Sequence, residues 1–355
     1  MPIDWTKSMQ QTYEFYEVDP GTWKNKSKLD NITGYNISRD LYADTLGNAT
    51  VDCTSDVGEM YIRAYMTPIQ NRKQYNVPLG TYIVQTPAEA FDGKVSTFSL
   101  DAYTPLLELK ESNPPLGFTV SKGVNIMETA VKLCREHMRA PVIEPSIDSS
   151  KTLFEDFVAD TSDTWLSFLT DFIANANYIF DIDEFGQVLF APIQDTASLQ
   201  PVQTFDDSNS SILYPSISVE RDLYGVPNAV EVIFSTDNKY LYSKVVNDDV
   251  NSPISTVNRG REILYRETSP SLAGNPTQEM VDEYTTKLLR NLSTLEYKIS
   301  YTHGYTPVRI GDCVRLNYER AGLKNVKAKV ITQSFKCDTG CSVTETAIYT
   351  NRLWG

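Results

Sequence analysis

The sequence offers few residues from which an active site could be assembled. Among 355 residues there are two histidines, His137 and His303. A histidine-based zinc site or a Ser-His-Asp arrangement would have to use one of them. His137 lies beside Met138 on a predicted helix and His303 in a Thr302-His303-Gly304 turn, and no motif surrounds either. Structural roles are expected for both. The sequence has no Gly-x-Ser-x-Gly, no His-Glu-x-x-His and no phosphate-binding glycine loop. Asp181-Ile182-Asp183-Glu184-Phe185-Gly186 looks superficially like a calcium loop, but it lacks the third chelating position, and position twelve is Pro192 rather than Glu. It reads instead as a hairpin turn in which Gly186 supplies a positive φ. Asp206-Asp207-Ser208-Asn209 reads as a polar linker. Cys337 and Cys341 flank a three-residue turn and could face one another across a hairpin, where cross-strand neighbours approach to about 4.5–5.5 Å. Cys53, Cys134 and Cys313 offer no paired spacing, so a zinc site would be two ligands short, and free thiols packed as small apolar groups are expected. Carboxylate pairs for glycoside hydrolysis are assembled in three dimensions, and among 46 Asp and Glu residues their mere presence carries no weight. The sequence therefore predicts no catalytic, cofactor-binding or metal-binding residues, and no cofactor.

Charge narrows the class further. The net charge is −14 and the pI about 4.7, which argues against binding nucleic acid by neutralising phosphates. Lys and Arg number 10 against 15 Asp and Glu in residues 1–112, 5 against 13 in 113–200, and 17 against 18 in 201–355. The acidic excess thus sits mostly in the middle of the chain, where it reads as a solvated face. Tyrosine is abundant, 21 against 14 Phe, which favours β-structure and interfaces. Five scattered cysteines suit a reducing compartment. No apolar run follows Met1 and none approaches ~20 residues, so neither a secretory leader nor a membrane-spanning segment is expected. Six Asn-x-Ser/Thr sequons, Asn31 and Asn48 among them, read as by-products of Asn/Thr-rich turns.

The elements fall into a β–(α/β)–β order. Strands are predicted at Ile32–Asp40, Gly47–Ser55, Met60–Thr67, Gly80–Pro87 and Val95–Tyr103, separated by Gly, Asn, Asp and Pro turns. Pro114-Pro115-Leu116-Gly117 stops this pattern. Val124–Arg139 then places Met127, Val131, Cys134 and Met138 at helical spacing. A second helix over Asp163–Asn177 turns Trp165, Phe168, Phe172 and Ala176 inward, with Thr161 or Ser162 as N-cap. The hairpin Tyr178–Phe190 follows. Beyond Pro201, strands are expected at Ile217–Glu220, Ala229–Ser235, Tyr240–Val246 and Arg261–Arg266. A third helix, about 275–292, takes Asn275 as N-cap, Pro276 at N1 and Gln278 to close a capping box. Strands Glu296–Thr302 and Pro307–Leu316 and a hairpin, Ala328–Cys337 with Cys341–Tyr349, complete the series. The fold class expected is α+β and β-rich: two tube-like β-barrel or sandwich domains, 1–112 and 201–355, flanking a small α/β module at 113–200.

Gly34-Tyr-Asn-Ile-Ser-Arg39, Leu46-Gly-Asn-Ala-Thr-Val-Asp52, Val77-Pro-Leu-Gly-Thr-Tyr-Ile-Val84 and Phe98-Ser-Leu-Asp-Ala-Tyr-Thr-Pro-Leu-Leu-Glu-Leu109 occur in that order. The series resembles the N-terminal domain of phage tail baseplate hub proteins, which include the N-terminal structural part of tail-associated lysins. Cys134-Arg-Glu-His137, Thr164-Trp-Leu-Ser-Phe-Leu169, the hairpin pattern from Asp183 to Phe190, and the string from Pro307 to Leu316 continue the resemblance over roughly the whole chain. It implies a structural role without catalysis: a homotrimer in which three chains present six β-domains to a six-fold tail tube and keep three-fold symmetry for a spike, fibre or tail tip below. The implied partners are tail tube, distal tail and tape-measure proteins, with DNA passing through without specific binding. The implied location is the tail tip or baseplate of a virion assembled in the host bacterial cytoplasm. Two other readings stand beside it. One is the anchoring part of a cell-wall-degrading tail lysin, whose mark would be a catalytic domain after the hub region; the sequence reaches Gly355 without one. The other is a host-surface carbohydrate-binding module using Trp5, Trp23 and Trp354, which could equally anchor neighbouring subunits.

Overall fold

The computed structural model describes residues 3–94, 96–145, 150–208, 211–236, 239–268, 270, 276–338 and 340–354. It is α+β and β-rich, 14% helix and 46% strand. The chain divides into two compact units, Met1–Ile217 with Tyr301–Ala347, and Ser218–Ser300 with Ile348–Gly355.

In the first unit one sheet runs, neighbour to neighbour, through Pro201–Asp206, Cys313–Asn317, Val326–Cys337, Ile32–Asp40, Gly47–Cys53, Ser96–Tyr103, Val77–Phe91, Tyr61–Gln70, Gln10–Val18 and Asn25–Lys28. Its first pair is parallel and the rest antiparallel. Alternation decides which face each strand buries: in Gly47–Cys53 every second residue, Ala49, Val51 and Cys53, points inward. These join Ile37, Leu100, Phe335 and Val343 in one core. Tyr61–Gln70 is buried on both faces. Ile62, Ala64 and Met66 join the main core, while Tyr61 meets Val18, Ile83 and Leu107 on the reverse side.

Against this sheet lies the α/β module. Its helices, Ile126–His137 and Trp165–Ala174, pack around Phe168 and Phe172 and over the hairpin Tyr178–Ile182 with Val188–Pro192. Burying each such ring contributes about 1.5–3 kcal/mol relative to leaving it in water. Asn125 caps the first helix by accepting from Glu128 N. The second is capped by Thr164, not Thr161 or Ser162, because Ser167 stands three residues on and closes a capping box.

In the second unit the strands Lys239–Val246, Ala229–Thr236 and Leu264–Glu267 form a sheet. The helix Gln278–Leu292 covers one face of it, setting Val281 and Leu289 against Val230 and Val232. Thr277 is the N-cap and Pro276 precedes it; Asn275 lies outside the described residues. Gln278 closes no capping box: its amide donates to Tyr242 O and to Asp282.

The structure changes the expected layout in three places. Val326–Cys337 pairs directly with Ile32–Asp40, so strands from the two ends of the chain share a sheet and a core, and the compact units are not cut at 112 and 200. Of Pro307–Leu316 only Cys313 onward is strand. The preceding residues turn at Gly311, φ +89°, with Arg309 N donating to Asp312 Oδ2. Gln10–Val18 and Pro201–Asp206 are strands that the sequence reading did not include. The sheet is traced as an open path, with no closed barrel among the described residues.

Candidate functional site

The densest polar site lies where the hairpin turn 183–186 meets the sheet. The turn forms because the Asp183 carboxylate accepts from Phe185 N (2.9 Å) and Gln187 N (2.8 Å), and because Gly186 takes φ +72°. Three arginines from distant parts of the chain close on it. Arg39 reaches Glu184 Oε1 at 3.2 Å and Leu79 O at 2.6 Å. Arg309 reaches the same Glu184 oxygen at 3.3 Å and Asp181 Oδ1 at 3.0 Å, and also donates to Ile182 O. Arg63, 4% exposed, donates to Phe185 O (2.9 Å), Asn25 Oδ1 (3.1 Å) and Thr81 Oγ1 (2.8 Å). Trp23 Nε1 donates to the same Phe185 carbonyl at 2.7 Å.

Burial pushes the pKa of Asp181 up, with Arg309 opposing, and burial also raises those of Asp183 and Asp312. Each carboxylate has a partner, so the apparent calcium loop is a set of ion pairs and turn bonds. The gap left among Arg39, Thr81, Tyr82, Asp183 and Arg309, about 20 Å³, has room for a water and not for a substrate. Chemically, the arrangement clamps the module onto the sheet.

A second polar cluster is wholly enclosed. His303 lies on the strand Thr294–Gly304 rather than in a turn, and neither it nor Glu345 is exposed. Glu345 accepts from Tyr301 Oη (2.6 Å) and Gln333 Nε2 (2.7 Å), and His303 Nε2 stands 3.3 Å away. His303 Nδ1 is 2.7 Å from Gly304 O, which fixes it as the protonated nitrogen. His303 Nε2 makes no hydrogen bond among the described residues. Phe205 packs against His303 with ring centroids 4.5 Å apart and the planes tilted by 39°.

The other singled-out residues are packed as well. His137 stacks on Trp165 at 3.9 Å. The five cysteines are free thiols, and burial pushes the Cys134 thiol up to about 12. Cys337 is hydrogen-bonded by Cys341, which raises its pKa ahead of burial. Trp5 packs on Tyr305 (5.0 Å), Trp23 on Tyr61 (4.8 Å), and Trp354 against the core of the second unit, so none of the three is an exposed platform. Sequence reasoning missed all three clamp arginines. For Arg39 and Arg63 the one signal was a charged residue within a strand, as in Tyr61-Ile62-Arg63-Ala64-Tyr65; Arg309 lies in the turn before Cys313–Asn317 and had none.

No family model matches the sequence, and no curated protein matches it. Solved structures do. The tail protein from Neisseria meningitidis MC58 superposes with a TM-score of 0.62 at 11% identity, over 97% of this chain and 98% of that one. The 43 kDa tail protein of prophage MuSo2 from Shewanella oneidensis gives 0.58 at 12% identity, over 94% and 97%. A chain of the Francisella PdpA–VgrG complex gives 0.56 at 10% identity, over 96% of this chain and 58% of that one. The protein thus shares its fold with these tail proteins.

Proposed function

We propose that this protein is a structural component of a phage tail or phage-tail-like particle, and within it the hub that joins the six-fold tail tube to a three-fold spike or tip. In this role it is a homotrimer, its β-domains contribute to a tube-like wall around the DNA channel, and it catalyses nothing. The observation that carries the reading is the whole-length likeness to two tail proteins, with nearly all of each chain covered. The polar groups of the two clusters support it, because they are engaged in holding the chain's own elements together.

Light scattering on the purified protein, alone and mixed with tail tubes, is the test. The expected result is a particle of three times 40.0 kDa, either free or on the tube. A stable dimer unable to form three-fold rings, or absence of the protein from purified particles, would overturn the hub role. Cleared bands on peptidoglycan zymograms, abolished by changing one Asp or Glu, would overturn the non-catalytic part.

A further inference from the structure

A cleft of about 480 Å³ opens between residues 41–46 and the start of the helix Trp165–Ala174, within the size range of ligand sites. Its floor is apolar: Leu46, Leu166 and Phe180 are buried and Ile179 is half-buried. Most of its polar rim is already engaged. Asp44 pairs with Lys110 at 2.8 Å, Thr164 and Ser167 close the helix cap, and Thr170 Oγ1 donates to Leu166 O at 2.8 Å. The Asp171 carboxylate differs, being exposed and joined to no described side chain.

We propose that this cleft receives a lysine or arginine side chain from a peptide segment of a partner protein, with the aliphatic stem on the half-buried Leu41 and Ile179 and the cation at Asp171. Long basic side chains are the ones that cover apolar surface with a stem while keeping a charged head in water. An apolar floor ending at one unpaired carboxylate is the complement of that shape. A saccharide fits less well. It needs several unengaged donors and acceptors, and here the Thr164, Ser167 and Thr170 hydroxyls serve the helix. Tyr42, 68% exposed at the rim, adds an aromatic ring whose face attracts a cation. Charge agrees, since residues 113–200 carry 5 basic against 13 acidic side chains. The inference does not depend on the hub role, and its failure would leave that role standing.

The probe is a fluorescein-labelled, end-blocked hexapeptide of alternating Leu and Arg, titrated by anisotropy against the full chain, with a Leu/Glu hexapeptide and N-acetylglucosamine as comparators. The basic peptide is expected to bind and the others not. Asp171→Asn should weaken binding about three- to fivefold, the size of one exposed charge pair. Glu155→Gln removes an equal charge outside the cleft and should leave binding unchanged. Equal losses in the two variants would mean general attraction to an acidic protein and would overturn the proposal. So would binding of the saccharide in place of the peptide, or no binding up to about 1 mM.

Discussion

Replacing Gly186 by alanine tests whether the hairpin turn is seated on the sheet as described. Gly186 has φ +72°, and a Cβ there would lie 2.8 Å from Thr81 Cβ and 3.3 Å from Pro105 Cγ. Thr81 cannot move aside freely: it is 2% exposed and accepts from Arg63 Nε. Gly117 provides the control, because its φ is +76° and a Cβ would meet nothing within 4 Å. Alanine in the left-handed region costs about 1–2 kcal/mol, and the stiffer unfolded chain returns about 0.4–1 kcal/mol. Both terms are common to the two sites. Overpacking adds about 1–3 kcal/mol at Gly186 alone. Gly117→Ala should therefore cost about 1 kcal/mol and Gly186→Ala about 2–4 kcal/mol. Native-state hydrogen exchange at the Asp183 and Gln187 amides, both bonded within the turn, reads the local opening directly. Gly186→Ala should lower their protection by about 30- to 1,000-fold, and Gly117→Ala should leave it nearly unchanged. Protection unchanged in both variants, or equal overall losses of stability, would show that the turn does not rest on Thr81.

Two further outcomes follow from the buried carboxylates. Burial raises the pKa values of Asp181, Asp183 and Asp312 above the ordinary Asp value of 3.8, so the folded state holds these protons more tightly than the unfolded chain. Their stabilising contribution is full below about 3.8 and is lost as pH rises through the raised values. From these groups the urea midpoint should therefore rise on acidification from neutral pH, and Asp312→Asn should flatten that rise; an unchanged profile would contradict the assignment. Glu345→Leu would strand the Tyr301 hydroxyl and the Gln333 amide without their shared acceptor, at a cost of about 2–6 kcal/mol from about 1–3 for each buried donor left unpaired. Glu345→Gln, which keeps a carbonyl for Tyr301, should cost less, and a Glu345→Leu variant as stable as the parent would show that the network contributes nothing.

What the sequence disclosed and what it hid divide along the range of the interaction. The helices Ile126–His137 and Trp165–Ala174 were legible because their burial repeats every three or four residues within a single stretch. The turn at Gly186 was legible because its chemistry lies within four residues. Even the capping error was local, since Ser167 stands where the box closed by Thr164 requires it. The pairing of Val326–Cys337 with Ile32–Asp40 was not legible, because alternation fixes which face a strand buries and not which strand lies beside it. The clamp was hidden for a related reason. Arg63 has no carboxylate partner in the clamp; it is satisfied by Phe185 O, Asn25 Oδ1 and Thr81 Oγ1, and a backbone carbonyl leaves no trace in residue types. Charge counting therefore finds acidic excess in 113–200 and misses the cation that holds its hairpin. The same fact bears on how the module is held. Contacts from a buried guanidinium to carbonyls are screened by salt far less than exposed ion pairs, so the seat of the hairpin depends on the geometry of its turn more than on the ionic strength around it.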